Sequence, residues 1–209
     1  MGIHLWAFLG ISLVVIIAPG PDTVVVTKNA LMHGRGAALG TSLGVNTGLL
    51  IWTIAAAVGV AALVRESAVA FTTLKVVGAV YLIWLGVQAL RAARHPSAFA
   101  AAAGGDGGAM TVRLGFRQGL LSDLANPKIG VFFTSLLPQF VSGREPVLVP
   151  FLLLGGLFVI MTLVWLCAYA LLAAKISDVL TRPGVKAALD RVTGVVLIGL
   201  GVRLALERR

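Results

Sequence analysis

The chain has 209 residues, of which 58% are hydrophobic and 12% charged, with a mean hydropathy of +0.98. Soluble domains carry about 25% charged residues, so this composition excludes an ordinary soluble domain. The formal net charge of +9 does not point to nucleic acid, because the Lys and Arg residues are dispersed in connections between apolar runs, where they set membrane orientation.

Six apolar segments of roughly spanning length, about 20 residues each, follow one another in the sequence. The first, His4 to Val26, is interrupted by Ala18-Pro19-Gly20-Pro21-Asp22. The residues Met1 to Trp6 lack the basic start of a cleavable signal peptide, so this span is expected to be retained. A polar turn, Thr27 to Gly36, leads to the second segment, Ala37 to Val64, in which Gly40, Gly44 and Gly48 recur at four-residue spacing. That spacing lines one helix face with glycine and admits a close neighbour, and Asn46 and Thr47 beside it are candidates to line a cavity.

The third segment runs from Ala68 to Leu90 and holds Lys75, which reads as snorkelling to the surface. A linker without a packed core, Arg91 to Leu114, contains His95-Pro96 and Gly104-Gly105-Asp106-Gly107-Gly108. The fourth segment, Gly115 to Val141, is interrupted by Asn126-Pro127-Lys128. The fifth is Val147 to Ala174, and the sixth, Val185 to Leu206, follows Arg182-Pro183-Gly184. The expected fold is all-α and membrane-integral: six transmembrane helices in a single domain over residues 1–209, with the first and fourth helices broken.

The chain also aligns with itself. At one offset Pro19 falls on Pro127, Phe8 on Phe116 and Leu13 on Leu121. At a slightly larger one Leu82-Ile83 falls on Leu197-Ile198 and Leu85-Gly86-Val87 on Leu200-Gly201-Val202. Three spans make an odd unit, so the second copy enters the membrane inverted. A 3+3 inverted repeat with halves at about 1–90 and 115–209 is predicted, an architecture that supports alternating access. Basic residues are more numerous in the first, third and fifth connections, which places those loops in the cytoplasm and both termini outside. Arg203, Arg208 and Arg209 in the tail run against that count.

The two breaks concentrate the chemistry. Proline removes an amide donor and clashes with the preceding turn, and in hydrocarbon the freed groups must be satisfied by protein or by a water-filled cavity. Charge beside two broken helices, in corresponding positions of two halves, is the pattern of a secondary transporter's central site. Asp22, in a medium that destabilises its charged form, suits proton exchange or pairing with an ammonium group. The plainer reading is a cap for the half-helix that follows. Lys128 suits a ligand carboxylate or an acid of the protein itself, and Asp123 is a candidate partner for Lys128 or for a proton. Asn126 offers donor and acceptor and can cap the half-helix after it. The half-helix starts near Pro19, Gly20, Pro21 and Pro127 offer positive dipole ends.

The aromatic residues Trp6, Trp52, Trp84, Trp165, Tyr81 and Tyr169 read first as belt or packing residues, and of these Tyr169 joins the candidate cavity residues. His4, His33 and His95 show no metal spacing. No phosphate-binding loop or nucleophile elbow occurs, so no catalytic residue, metal or cofactor is expected. The lone Cys167 argues against a thiol-redox carrier, the alternative class on such a scaffold, and a non-transporting assembly protein would leave charge at both breaks unexplained.

Taken together, these residues resemble the LysE/RhtB family of bacterial amino-acid exporters (lysine export and homoserine/threonine resistance). The resemblance covers nearly the whole chain: Ala18 to Asp22, Gly34-Arg35-Gly36 with Gly40 and Gly44, and Leu74 to Gly86. It continues with Asn126-Pro127-Lys128, Phe132-Phe133, Leu137 to Val141, Trp165 and Tyr169. It implies export of small amino acids or related metabolites across the bacterial inner membrane, coupling to protons, and a homodimer. Asp123 departs from the pattern, since an uncharged residue is expected before Asn-Pro-Lys, and the Ala/Gly-rich third loop departs from it too.

Overall fold

The computed structural model describes residues 2–18, 20–66, 73, 76–77, 79–80, 83–84, 86–88, 90–91, 93, 111–141, 147–180 and 182–206. Among the described residues the regular structure is entirely helical. Pro19, about half of the third segment (Lys75 and Tyr81 included) and most of the 91–114 linker lie outside them.

Helix α1, Gly2–Ile17, ends at the Pro-Gly-Pro break, and α2, Pro21–Glu66, starts on its second proline. Beyond the linker come α3, Val112–Leu124, and after the second break α4, Pro127–Val131. A wide π-helical turn, Phe132–Leu136, and α5, Leu137–Val141, complete that segment. Helices α6, Leu148–Leu180, and α7, Pro183–Leu206, follow.

Three features differ from the sequence expectation. The turn predicted over Thr27 to Gly36 is no loop: α2 continues through it and bends at Gly34 alone, at φ 81°, ψ −179°. That backbone region is essentially open only to glycine, so one residue makes the corner and its neighbours keep helical geometry. The linker is shorter at its far end, because Thr111 caps α3 by accepting the Leu114 amide at 3.2 Å. The fourth segment carries the π turn, closed by the Leu137 amide on the Phe132 carbonyl. Pro138 has no N–H to offer the Thr134 carbonyl, which removes an α-type bond from the same stretch.

The core is mainly apolar, and what sets the fold apart from soluble proteins is that its surface is apolar too while several polar side chains are buried. Ser12, Asn29, Thr41, Ser42 and Asp123 are wholly buried, whereas Leu153, Val164 and Val195 are more than 60% exposed. Apolar side chains outward and polar ones inward is what a hydrocarbon solvent selects. Among the described residues, Pro21–Gly59 and Leu148–Leu172 are long and apolar enough to span a bilayer.

Two interfaces position the rest. The glycine face of α2 receives α3: a side chain at Gly40 or Gly44 would run into the backbone of Val112 or Phe116. Reciprocally, one at Gly115 or Gly119 would meet the carbonyls of Ala37 or Thr41. Asn29 tightens the same seam, donating to Thr41 Oγ1 at 2.7 Å and Gln118 Oε1 at 3.1 Å. At the second interface a Cβ on Gly86 would lie 2.7 Å from the Gly194 carbonyl oxygen, and one on Gly201 would lie 2.8 Å from that of Ala79. In the self-alignment Gly86 falls on Gly201 and Ala79 on Gly194, so residues that the alignment pairs meet each other reciprocally.

Candidate functional site

The first break follows from proline chemistry. In a continuous helix the Val15 carbonyl would receive the amide of residue 19 and the Ile17 carbonyl that of residue 21, and both are prolines without a donor. The Ala18 amide still closes on Val14 O at 3.0 Å, after which α1 stops. Helix α2 then restarts on Pro21, the residue best tolerated at a first helical position, with Asp22 in its first turn.

The second break is built differently. Pro127 withholds the amide that the Asp123 carbonyl would receive, and the Asn126 amide takes that place at 3.0 Å, with Trp52 Nε1 adding a longer contact at 3.4 Å. Asn126 is the N-cap of α4, its Oδ1 accepting the Lys128 amide at 3.0 Å. Fixed by that bond, the other end of the Asn126 amide points across to the first break.

The two breaks bond to each other. Asn126 Nδ2 donates to Asp22 Oδ2 at 2.6 Å, and Ser122 Oγ donates to Asp22 Oδ1 at 2.7 Å. Lys128 Nζ donates to Val15 O at 3.0 Å and to Ala18 O at 3.2 Å. The ammonium thus lies on carbonyls at the C-terminal end of α1, and the carboxylate lies at the N-terminal end of α2; each charge meets the dipole end that stabilises it. Gly20 belongs to this contact, because a Cβ there would stand 3.0 Å from Lys128 Nζ.

A small cleft, open on one side, adjoins this cluster. Its polar lining comprises Asp22, Thr23, Asp123, Lys128 and Thr162, and its apolar walls include Val45, Leu49 and Phe158. Phe158 stacks on Phe132 of the π turn at 4.2 Å between ring centroids, so the irregular turn helps shape one wall.

Of the candidate residues, Gly20, Asp22, Asp123, Asn126 and Lys128 come together here. The side chains of Pro21 and Pro127 are exposed, and both residues act through the backbone as first residues of α2 and α4. Asn46 is buried but donates to its own helix at Ser42 O, 2.8 Å, and Tyr169 shares a 2.8 Å hydrogen bond with Thr27 Oγ1. Neither belongs to the cavity lining. Sequence reasoning missed Ser122, Thr23, Thr162 and the Val15 and Ala18 carbonyls. Ser122 had one local signal, a hydroxyl next to an acid within an apolar segment. The carbonyl partners carry no side-chain signature at all.

Among the described residues the helices carry apolar side chains outward and gather charge at two breaks, as an integral membrane protein does. The chain belongs to the LysE type translocator family, which it matches over residues 13–208. It is 33% identical to an uncharacterized membrane protein of Vibrio cholerae, over all of both chains. It is 32% identical to the homoserine/homoserine lactone efflux protein of Salmonella typhimurium, covering 97% of this chain and 96% of that one. With the threonine efflux protein of Escherichia coli K12 the identity is 30%, over 98% and 100%. No solved structure matches the chain.

Proposed function

We propose that this protein is a secondary active exporter of small amino acids or amino-acid derivatives, carrying them out of the cytoplasm across the bacterial inner membrane. The observation that carries this reading is the cross-bonded pair of breaks at the cavity, with Asp22 held by Ser122 and Asn126 and Lys128 held on the Val15 and Ala18 carbonyls. The names of the efflux relatives supply the substrate class.

Transport proceeds by alternating access between two halves related as a 3+3 inverted repeat. The reciprocal contacts of Gly86 with Gly194 and of Gly201 with Ala79 support that symmetry. Asp22 is the proton site: protonation removes the charge that Asn126 and Ser122 stabilise, loosens the stitch between the breaks, and biases one facing over the other, as coupling requires. The first, third and fifth connections lie in the cytoplasm, and two copies associate in the membrane.

The test is efflux of a labelled amino-acid mixture from loaded proteoliposomes, with and without an imposed pH gradient, for the unmodified protein and Asp22→Asn. Selective efflux accelerated by the gradient, with that acceleration lost in the variant, is the expected result. Gradient-driven efflux that is unchanged in Asp22→Asn removes the proton site.

A further inference from the structure

Of the three charged side chains at the cavity, two are already engaged. Each oxygen of Asp22 accepts a hydrogen bond, from Ser122 and from Asn126. Lys128 has three N–H donors, two of them on the Val15 and Ala18 carbonyls, which leaves one. Asp123 differs from both. It is wholly buried and lines the cavity, yet neither carboxylate oxygen has a hydrogen-bond partner among the described residues.

The room for that carboxylate is created from across the seam. A side chain at Gly48 would collide with Asp123 Oδ2, so the last glycine of the α2 face admits an acid rather than a helix backbone. Leaving a buried acceptor unmet is costly, and more so for a charged one. An acid with two empty oxygens beside a cavity either holds a proton itself or takes a donor from outside the chain, and an arriving ammonium group supplies that donor.

We propose that Asp123, rather than Asp22, is the residue that reads the transported molecule, by receiving its ammonium group. The remaining Lys128 N–H then meets an acceptor on the same molecule, a carboxylate or a carbonyl. The substrate class is accordingly a compact primary amine with an oxygen acceptor a few bonds away, entering a cleft walled by Val45, Leu49 and Phe158. The amine is the indispensable part, because it satisfies two orphaned oxygens, whereas the acceptor satisfies one donor of an ammonium already bonded twice. This rests on the exporter reading and narrows it: Asp22 serves the switch and Asp123 the selection.

The experiment is efflux of labelled L-threonine and L-homoserine from proteoliposomes, with two competitors. One, 1-amino-2-propanol, keeps the ammonium and lacks the carboxylate. The other, N-acetyl-L-threonine, keeps the carboxylate and lacks the ammonium. In the unmodified protein 1-amino-2-propanol inhibits, and N-acetyl-L-threonine is at least roughly 10-fold weaker, the loss expected for one charge-assisted hydrogen bond. Asp123→Asn, which keeps the shape of the side chain, loses apparent affinity for the amino acids roughly 10- to 100-fold and loses the preference between the competitors. Stronger inhibition by N-acetyl-L-threonine in the unmodified protein overturns the proposal without needing any variant. A folded Asp123→Asn protein with unchanged affinity and preference overturns it too, while the exporter reading stands. If the unmodified protein moves neither amino acid and binds neither competitor, the exporter reading fails and this assignment falls with it.

Discussion

The two breaks look alike in sequence, proline within an apolar helix and charge beside it, but they are held in different ways. The second is self-sufficient: Asn126 caps α4 with its side chain and covers the Asp123 carbonyl with its amide. The first has no such local device. Two prolines leave carbonyls unmet, and the donor that covers two of its carbonyls is Lys128, more than a hundred residues away in sequence. One break is a closed piece of local structure and the other is completed only by its partner. In a transporter that asymmetry is useful, because a helix end held by a distant side chain can be released without unfolding anything else.

The largest effect should come from removing that distant donor. Lys128→Met leaves the Val15 and Ala18 carbonyls without their donor, a loss of about 3 kcal/mol at the scale of charged hydrogen bonds. It should lower the unfolding midpoint in detergent and speed amide exchange at the end of α1, with little change at Asn126. Exchange that rises equally at both breaks would erase the proposed asymmetry. Next is Asp22→Asn. Its Oδ1 can accept from Asn126 while its Nδ2 donates to the Ser122 hydroxyl, which also accepts, so both contacts persist but lose the assistance of the charge. The expected loss is about 2 kcal/mol, read as a lower unfolding midpoint alongside the lost gradient response.

Asn126→Ala should cost about 1 kcal/mol through the lost cap, and its effect should be felt on both sides, since the same side chain anchors Asp22. A double-mutant cycle with Asp22→Asn checks this: the two losses should add to less than their sum, because they act on one shared bond. Trp52→Phe should do least. The 3.4 Å contact it deletes supplements an Asp123 carbonyl already met by the Asn126 amide, so a change within about 0.5 kcal/mol is expected in the same melting assay. A large loss there would mean that the second break is not self-sufficient.

Much of this could be read from the residues in order. Hydropathy and segment length specify the membrane as solvent, Pro19, Pro21 and Pro127 specify where helices must stop, and the Gly40-Gly44-Gly48 stripe specifies a face for close packing. These are local properties: a missing N–H or Cβ acts wherever the chain goes. Even Asn126 as a cap was foreseeable, since it sits directly before a proline that opens a helix.

Pairing was decided only in three dimensions. The stripe does not announce that its partner is α3, nor that Gly48 faces a carboxylate while Gly40 and Gly44 face backbone. The corner at Gly34 looked like a ten-residue turn, because polar residues in a row read as a loop unless the helix is seen to continue through them. Nothing in the order of residues joins Lys128 to Val15 and Ala18, since the acceptors are backbone atoms that every residue possesses. Whether Asp22 or Asp123 would be the satisfied acid was likewise undetermined. Both are aspartates near proline in an apolar run, and only the packed fold puts Ser122 and Asn126 on one and leaves the other bare.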